Sequence, residues 1–168
     1  MSSPVRPSST RSRHIPPPVF LVAAAVLQQL LARRAGPPPR WRRVASAALA
    51  LVSLALPTTA ALTFHSRRTT VSPLDPSAAS ALVTDGPNAF TRNPMYLGMA
   101  GLLTAHAWRR GSWLAVLPVA GFVAVIDRLQ VPAEESALAE RFGPAYVAYC
   151  ARVPRWLPGV RRLASHGR

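Results

Sequence analysis

Lysine is absent from this chain, cysteine occurs once, and only six of its 168 residues are acidic. The single thiol, Cys150, excludes an internal disulfide, and a small residue in a helix accounts for it. Four histidines, at 14, 65, 106 and 166, lack ligand spacing, so no metal site is expected and His106 reads as a core or interfacial residue. Charged residues make up 15% of the chain, against roughly 25% in a soluble domain, which argues against an ordinary soluble fold. Without lysine, all 20 basic residues are arginine and the net charge is +14. Those arginines sit between apolar runs rather than on one soluble face. Anionic lipid headgroups, not nucleic acid, are therefore the expected counter-charges.

What fills the chain instead is apolar sequence, 49% of all residues. The runs suit an all-α, multi-pass membrane helical bundle with about four transmembrane helices plus C-terminal amphipathic helices. Residues 1–14 read as a disordered basic arm. The arm also resembles a signal peptide, but with no small-residue cleavage site an uncleaved first helix is expected over 19–31. Arg33-Arg34 ends that helix, and Arg40-Trp41-Arg42-Arg43 anchors the next at an interface. Residues 44–64 form the clearest span, with a kink expected at Pro57. Residues 65–91 are a long polar connection in which Ala81-Leu82-Val83 is apolar enough to dock on the membrane domain. Two shorter apolar arms, 94–108 and 113–126, then form a hairpin. Each is about 22 Å long at 1.5 Å per residue, short of a hydrocarbon core of roughly 30 Å. Past Pro132, residues Leu138, Phe142, Tyr146, Tyr149 and Val153 recur on one helical face, interrupted by Gly143-Pro144. Arg141, Arg152, Arg155 and Trp156 suit the headgroup region. The membrane-embedded domain is thus 15–158, and 159–168 is a loose basic tail. With four spans, thirteen of the 20 arginines fall on the side of the N-terminus and both polar knots, which orients those knots to the cytoplasm.

The polar knots carry the chemistry. Arg92-Asn93-Pro94-Met95-Tyr96 is a helix start, with Asn a favoured N-cap and Pro fitting the first helical position. Such a start presents unpaired N–H groups to a carboxylate or phosphate, and Arg92 adds a bidentate donor. The same residues also make a plain capped helix with a snorkelling arginine. One hairpin later, Glu134 and Glu135 follow Pro132 in a first helical turn, where acidic residues already suit the helix dipole. Glu134 shares the apolar face of Leu138 and Phe142, whereas Glu135 points about 100° away. An inward Glu134 needs Arg92, Arg128 or a cationic ligand as partner.

These residues resemble a known family. The run from Ala81 through Asp85-Gly86-Pro87-Asn88 to Arg92-Asn93-Pro94-Met95-Tyr96-Leu97-Gly98 is similar to the cofactor motif of isoprenylcysteine carboxyl methyltransferases and related phospholipid methyltransferases. So is the distal run of Glu134-Glu135, Leu138, Phe142-Gly143, Tyr146, Tyr149 and Val153-Pro154, and Thr69-Thr70-Val71 resembles a loop of the short bacterial members. The resemblance covers about residues 65–157, with the cofactor motifs within 80–98 and 130–154. It implies an integral-membrane transferase that uses S-adenosylmethionine, without metal, on a lipidic or small hydrophobic acceptor. Cofactor contacts carried over from the family fall on Leu82, Val83, Asn88, Asn93, Pro94, Met95, Tyr96, Gly98, Glu134 and Glu135, with Arg92 and Glu134 in the catalytic role.

The chain departs from the family at several positions. Asn88 stands where the family has an aromatic cofactor contact, Ala89 where it has a basic residue, and Asn93 where the eukaryotic enzymes have His. Gln130 replaces a substrate-side Arg, a role that Arg128 is placed to take. Two other readings stay open: an NADPH-dependent reductase of the sterol-reductase type, which shares a similar helix start, and a non-catalytic membrane protein on the same scaffold.

Overall fold

The computed structural model describes residues 16–32, 37–67 and 80–157, and every regular element among them is helical. The basic arm, the basic tail and residues 68–79 of the polar connection lie outside the described residues. Six α-helices follow in order: α1 (Pro17–Leu31), α2 (Arg40–Ser66), α3 (Pro94–Arg110), α4 (Leu117–Val125), α5 (Val131–Phe142) and α6 (Pro144–Arg152). All but α2 carry proline in their first two positions, where the missing N–H is not needed and the fixed φ suits the helix.

The outside of α2 is apolar and its inside is small or polar. Val44, Leu51, Val52, Leu54 and Leu62 are exposed, while Ser46, Ser53 and Ala60, seven residues apart, are buried. In water this pattern would be reversed. In a bilayer, burying leucine gains nothing over lipid, so helices associate through small residues that let backbones approach. α3 answers with Gly98 and Gly101, and the α2–α3 contact is the most extensive between helices. A Cβ on Gly98 would lie 2.6 Å from the Ser53 carbonyl oxygen and against the ring of Pro57; one on Gly101 would strike the Ser53 hydroxyl. Pro57 lacks the N–H that would bond the Ser53 carbonyl. That freed carbonyl is the one Gly98 packs against, and α2 continues as one helix through Pro57.

Among the described residues two helical stretches are long and apolar enough to cross a membrane, Arg40–Ser66 and Trp113–Phe142. The second corrects the sequence reading, which starts a new helix at Pro132. From Leu117 the helix instead runs unbroken into α5 through a π-helical turn, Ile126–Gln130, in which the Val131 N–H reaches back to the Ile126 carbonyl. The widened turn re-registers the backbone bonds just before Pro132, so its missing N–H does not end the helix. At Gly143 (φ 51°) the chain does break, giving the two helices α5 and α6 expected there. α1, with 15 residues, spans only about 22 Å.

The main core lies between α1, α3 and the α4–α5 rod, around Ala24, Tyr96, Leu103, Phe122, Ile126 and Val131. Its one buried polar intruder from α1 is Gln28, fully buried. The Gln28 amide donates to the carbonyls of Leu103 (3.0 Å) and Ala115 (2.8 Å), and its oxygen meets His106 Nδ1 at 2.7 Å. His106 is half-buried and takes part in this hydrogen-bond link between α1 and α3. The adjoining end carries Arg40, Arg42, Arg43, Arg109 and Arg110 with exposed Trp41, Trp108 and Trp113, as at a membrane interface. The polar knots sit at the other end.

Candidate active site

The first knot is built on a short 3-10 turn, Gly86–Ala89, that packs on the end of α2. Gly86 holds φ 57°, and its missing Cβ faces Thr63. Nearby, Arg67 at the end of α2 pairs with Asp85, and that hydrogen bond lowers the Asp85 carboxyl below its ordinary value. The turn buries Asn88, whose main-chain carbonyl accepts the Tyr149 hydroxyl at 2.7 Å. Burial pushes the Tyr149 phenol up to about 12, and burial also raises Tyr146 beside it. Tyr146, Tyr149 and Val153 form a buried cluster against which Leu82, Leu138, Phe142 and Cys150 pack. The face predicted from the spacing thus exists, and Leu82 and Val83 dock on the bundle, Val83 buried.

At the start of α3, Asn93 occupies the N-cap position, but its side chain does not cap. Its amide donates to the Arg155 carbonyl (3.0 Å), to which Thr91 also donates (3.1 Å), and the Arg92 N–H bonds the Pro154 carbonyl (2.9 Å). The returning segment after α6 takes the side chain that would have closed the helix. The first turn of α3 therefore carries no side-chain cap.

Across from it stands Glu134. Tyr96 donates its hydroxyl to Glu134 Oε1, and Gln130 Nε2 donates to the same oxygen at 2.8 Å. Glu134 thus has a phenol and an amide on it, and of the three partners the sequence suggested (Arg92, Arg128 or a cationic ligand) Arg92 pairs elsewhere. Arg92 pairs with Glu135, at 2.7 Å, and its same nitrogen lies 2.9 Å from Cys150 Sγ. Glu135 also takes Arg155, whose other contact is Asp127 (3.1 Å), and Asp127 accepts from the Trp156 indole at 2.8 Å. Two guanidiniums and two carboxylates thus alternate in one partly buried chain. Burial by itself would lower the Arg155 pKa, but the two carboxylates outweigh it and hold it above its ordinary value.

Arg155 and Trp156 are therefore not headgroup anchors. Arg141 and Arg152 do remain exposed. Asp127, Cys150 and Arg155 are members of the site region that sequence reasoning missed. Asp127 lies in the π turn and reaches the site through Arg155, which bridges it to Glu135. Of the other sequence candidates, Pro94 is buried and Met95 half-buried at the helix start, Gly98 packs on α2, and Arg128 is exposed on the π turn. Two buried donors in this region have no partner, Asn88 Nδ2 and Arg92 Nε. No cluster of three or more metal-ligating side chains occurs among the described residues.

Comparison with known proteins bears on the same region. The sequence model of a family described as phospholipid methyltransferase matches residues 41–145. A protein of Haemophilus influenzae, itself described as uncharacterized, is 40% identical over 63 residues, which are 38% of this chain and the whole of that protein. No solved structure matches. The reductase reading finds no support in these comparisons.

Proposed function

The chain belongs to the phospholipid methyltransferase family, and from that premise we propose that it is an integral-membrane methyltransferase using S-adenosylmethionine on a lipidic or small hydrophobic acceptor. Four membrane passes, with the site at the cytoplasmic face, complete the reading. The observation that carries it is Glu134, oriented by Tyr96 and Gln130 and held opposite the uncapped start of α3.

The donor set matches the charges of that cofactor. A carboxylate is favoured at the open N–H groups and dipole of the α3 start, with Arg92 beside it. An ammonium or sulfonium is favoured by Glu134, in a setting of low dielectric where one fixed carboxylate counts for more than in water. Leu82 and Val83, with Pro94 and Met95, supply apolar walls. The two unpartnered donors, Asn88 Nδ2 and Arg92 Nε, suit a ligand rich in acceptors. When bound, S-adenosylmethionine supplies an electrophilic methyl group. The residues' task is to hold that methyl in line with the acceptor and to exclude water, which is where most of the rate gain of such a displacement arises. Arg128, exposed at the π turn, is placed to meet an anionic headgroup. Gln130, which also donates to Glu134, lies one helical turn before it on the same rod.

The test is binding by the detergent-purified protein. Wild type is expected to bind S-adenosylmethionine and not NADPH, with Glu134→Ala at least tenfold weaker, a difference of about 1.4 kcal/mol. A folded wild type that binds no S-adenosylmethionine up to millimolar concentration overturns the reading.

A further inference from the structure

Asn88 is only 4% exposed, and its side-chain amide nitrogen has no hydrogen-bond partner. Nearly all buried polar groups in folded proteins are satisfied, because an unmet donor keeps its full desolvation cost. The backbone that carries this amide is anchored on both sides. The Asn88 main-chain N–H bonds the Asp85 carbonyl at 3.1 Å, and its carbonyl accepts from Tyr149 at 2.7 Å. An orphan donor carried on an anchored backbone suits an acceptor that arrives from outside the chain.

The surroundings narrow what that acceptor is. Tyr149 joins Asn88 to an apolar cluster of Tyr146, Val153, Leu82 and Phe142. The charged groups nearby, Arg92 and Glu135, are bonded to each other. A mostly apolar setting with a single neutral donor suits a flat heteroaromatic ring carrying a neutral in-plane acceptor. A charged carboxylate or sulfonium is drawn instead to the α3 start and to Glu134.

We propose that Asn88 donates a hydrogen bond to a ring nitrogen of the cofactor's adenine and so selects the base. The inference rests on the reading of the site as an S-adenosylmethionine site. It gives Asn88, which stands where the resembling family has an aromatic cofactor contact, the part of a polar reader. A directed hydrogen bond rejects a base lacking the acceptor.

The experiment measures affinity for S-adenosylhomocysteine and for analogues in which one adenine ring nitrogen at a time is replaced by C–H. Wild type is expected to lose about tenfold in affinity for one analogue and little for the others. Asn88→Ala is expected to bind S-adenosylhomocysteine about tenfold more weakly and to show no preference among the analogues. Its ligand-free melting temperature should equal or exceed that of wild type, since no internal bond is removed. Asn88→Asp, of the same shape but presenting no amide donor, should lose binding to a similar degree, and serves if the alanine variant does not fold. Wild-type affinity in either variant, equal affinity of wild type for every analogue, or a large drop in ligand-free melting of Asn88→Ala overturns the inference alone. A wild type that binds none of these nucleosides overturns it together with the reading beneath it.

Discussion

Tyr96, in the first turn of α3, donates its hydroxyl hydrogen to Glu134 in the first turn of α5, joining the two polar knots across one helical hairpin. Tyr96 is 5% exposed and sits in the main apolar core, so this bond couples the site to the packing of the bundle. Tyr96→Phe keeps the ring and removes the donor, leaving Gln130 on the same carboxylate oxygen. Hydrogen bonds to charged groups contribute about 1.5–3 kcal/mol. Cofactor affinity is therefore expected to fall about tenfold in Tyr96→Phe. In a double-mutant cycle with Glu134→Gln, the two losses should be clearly non-additive. Additive losses would show that Tyr96 does not act through Glu134.

Gly98 and Gly101 both lie on the α2 face of α3, and neither position has room for a Cβ. A Cβ at Gly98 meets the Ser53 carbonyl and the Pro57 ring, neither of which can turn away. A Cβ at Gly101 meets the Ser53 hydroxyl, which can change rotamer, and also the Ser53 Cβ at 2.9 Å, which cannot. Gly98→Ala should cost about 1–3 kcal/mol through overpacking. Gly101→Ala should destabilise as well, but by less than Gly98→Ala, since part of its clash is with a hydroxyl that can turn. Thermal melting of both variants in the same detergent checks the order, and a Gly98→Ala protein as stable as Gly101→Ala would refute it.

Alkaline conditions should loosen the C-terminal cluster. The Tyr149 phenol, ordinarily near 10.0, is pushed by burial up to about 12 in the folded protein. Its stabilising contribution is fully present below the unfolded value and is lost as pH rises through the folded one, because above about 10 unfolding releases a proton that the folded chain retains. Melting temperature should therefore decline between pH 10 and 12. Tyr149→Phe should reduce that decline, leaving the share of Tyr146, which is raised in the same sense. It should also lower stability at neutral pH by about 1 kcal/mol for the lost bond to the Asn88 carbonyl. An unchanged alkaline slope in Tyr149→Phe would place the titrating group elsewhere.

Much of this architecture can be read without coordinates because bilayer and backbone rules act locally. Apolar runs announce the helices, prolines mark five of the six helix starts, and Gly143 separates α5 from α6. The spacing of Leu138, Phe142, Tyr146, Tyr149 and Val153 alone places them in one buried cluster. Glu134 could be singled out for the same reason, since a carboxylate on an apolar helical face needs an explanation wherever the helix ends up.

The pairing of charges was decided only by the tertiary structure. Helical spacing separates Glu134 from Glu135, but it cannot say that Arg92 takes Glu135 while Tyr96 takes Glu134. That choice depends on the π turn at Ile126–Gln130, which shifts the register of everything after it, and on the segment after α6 returning to cover the start of α3. The same return moves Arg155 from an apparent headgroup anchor to the centre of the ion-pair chain and takes Asn93 away from its cap. Local propensity is a property of neighbours in sequence. Which buried donor meets which acceptor is settled by neighbours in space, because an unpaired buried charge costs far more than a missing cap.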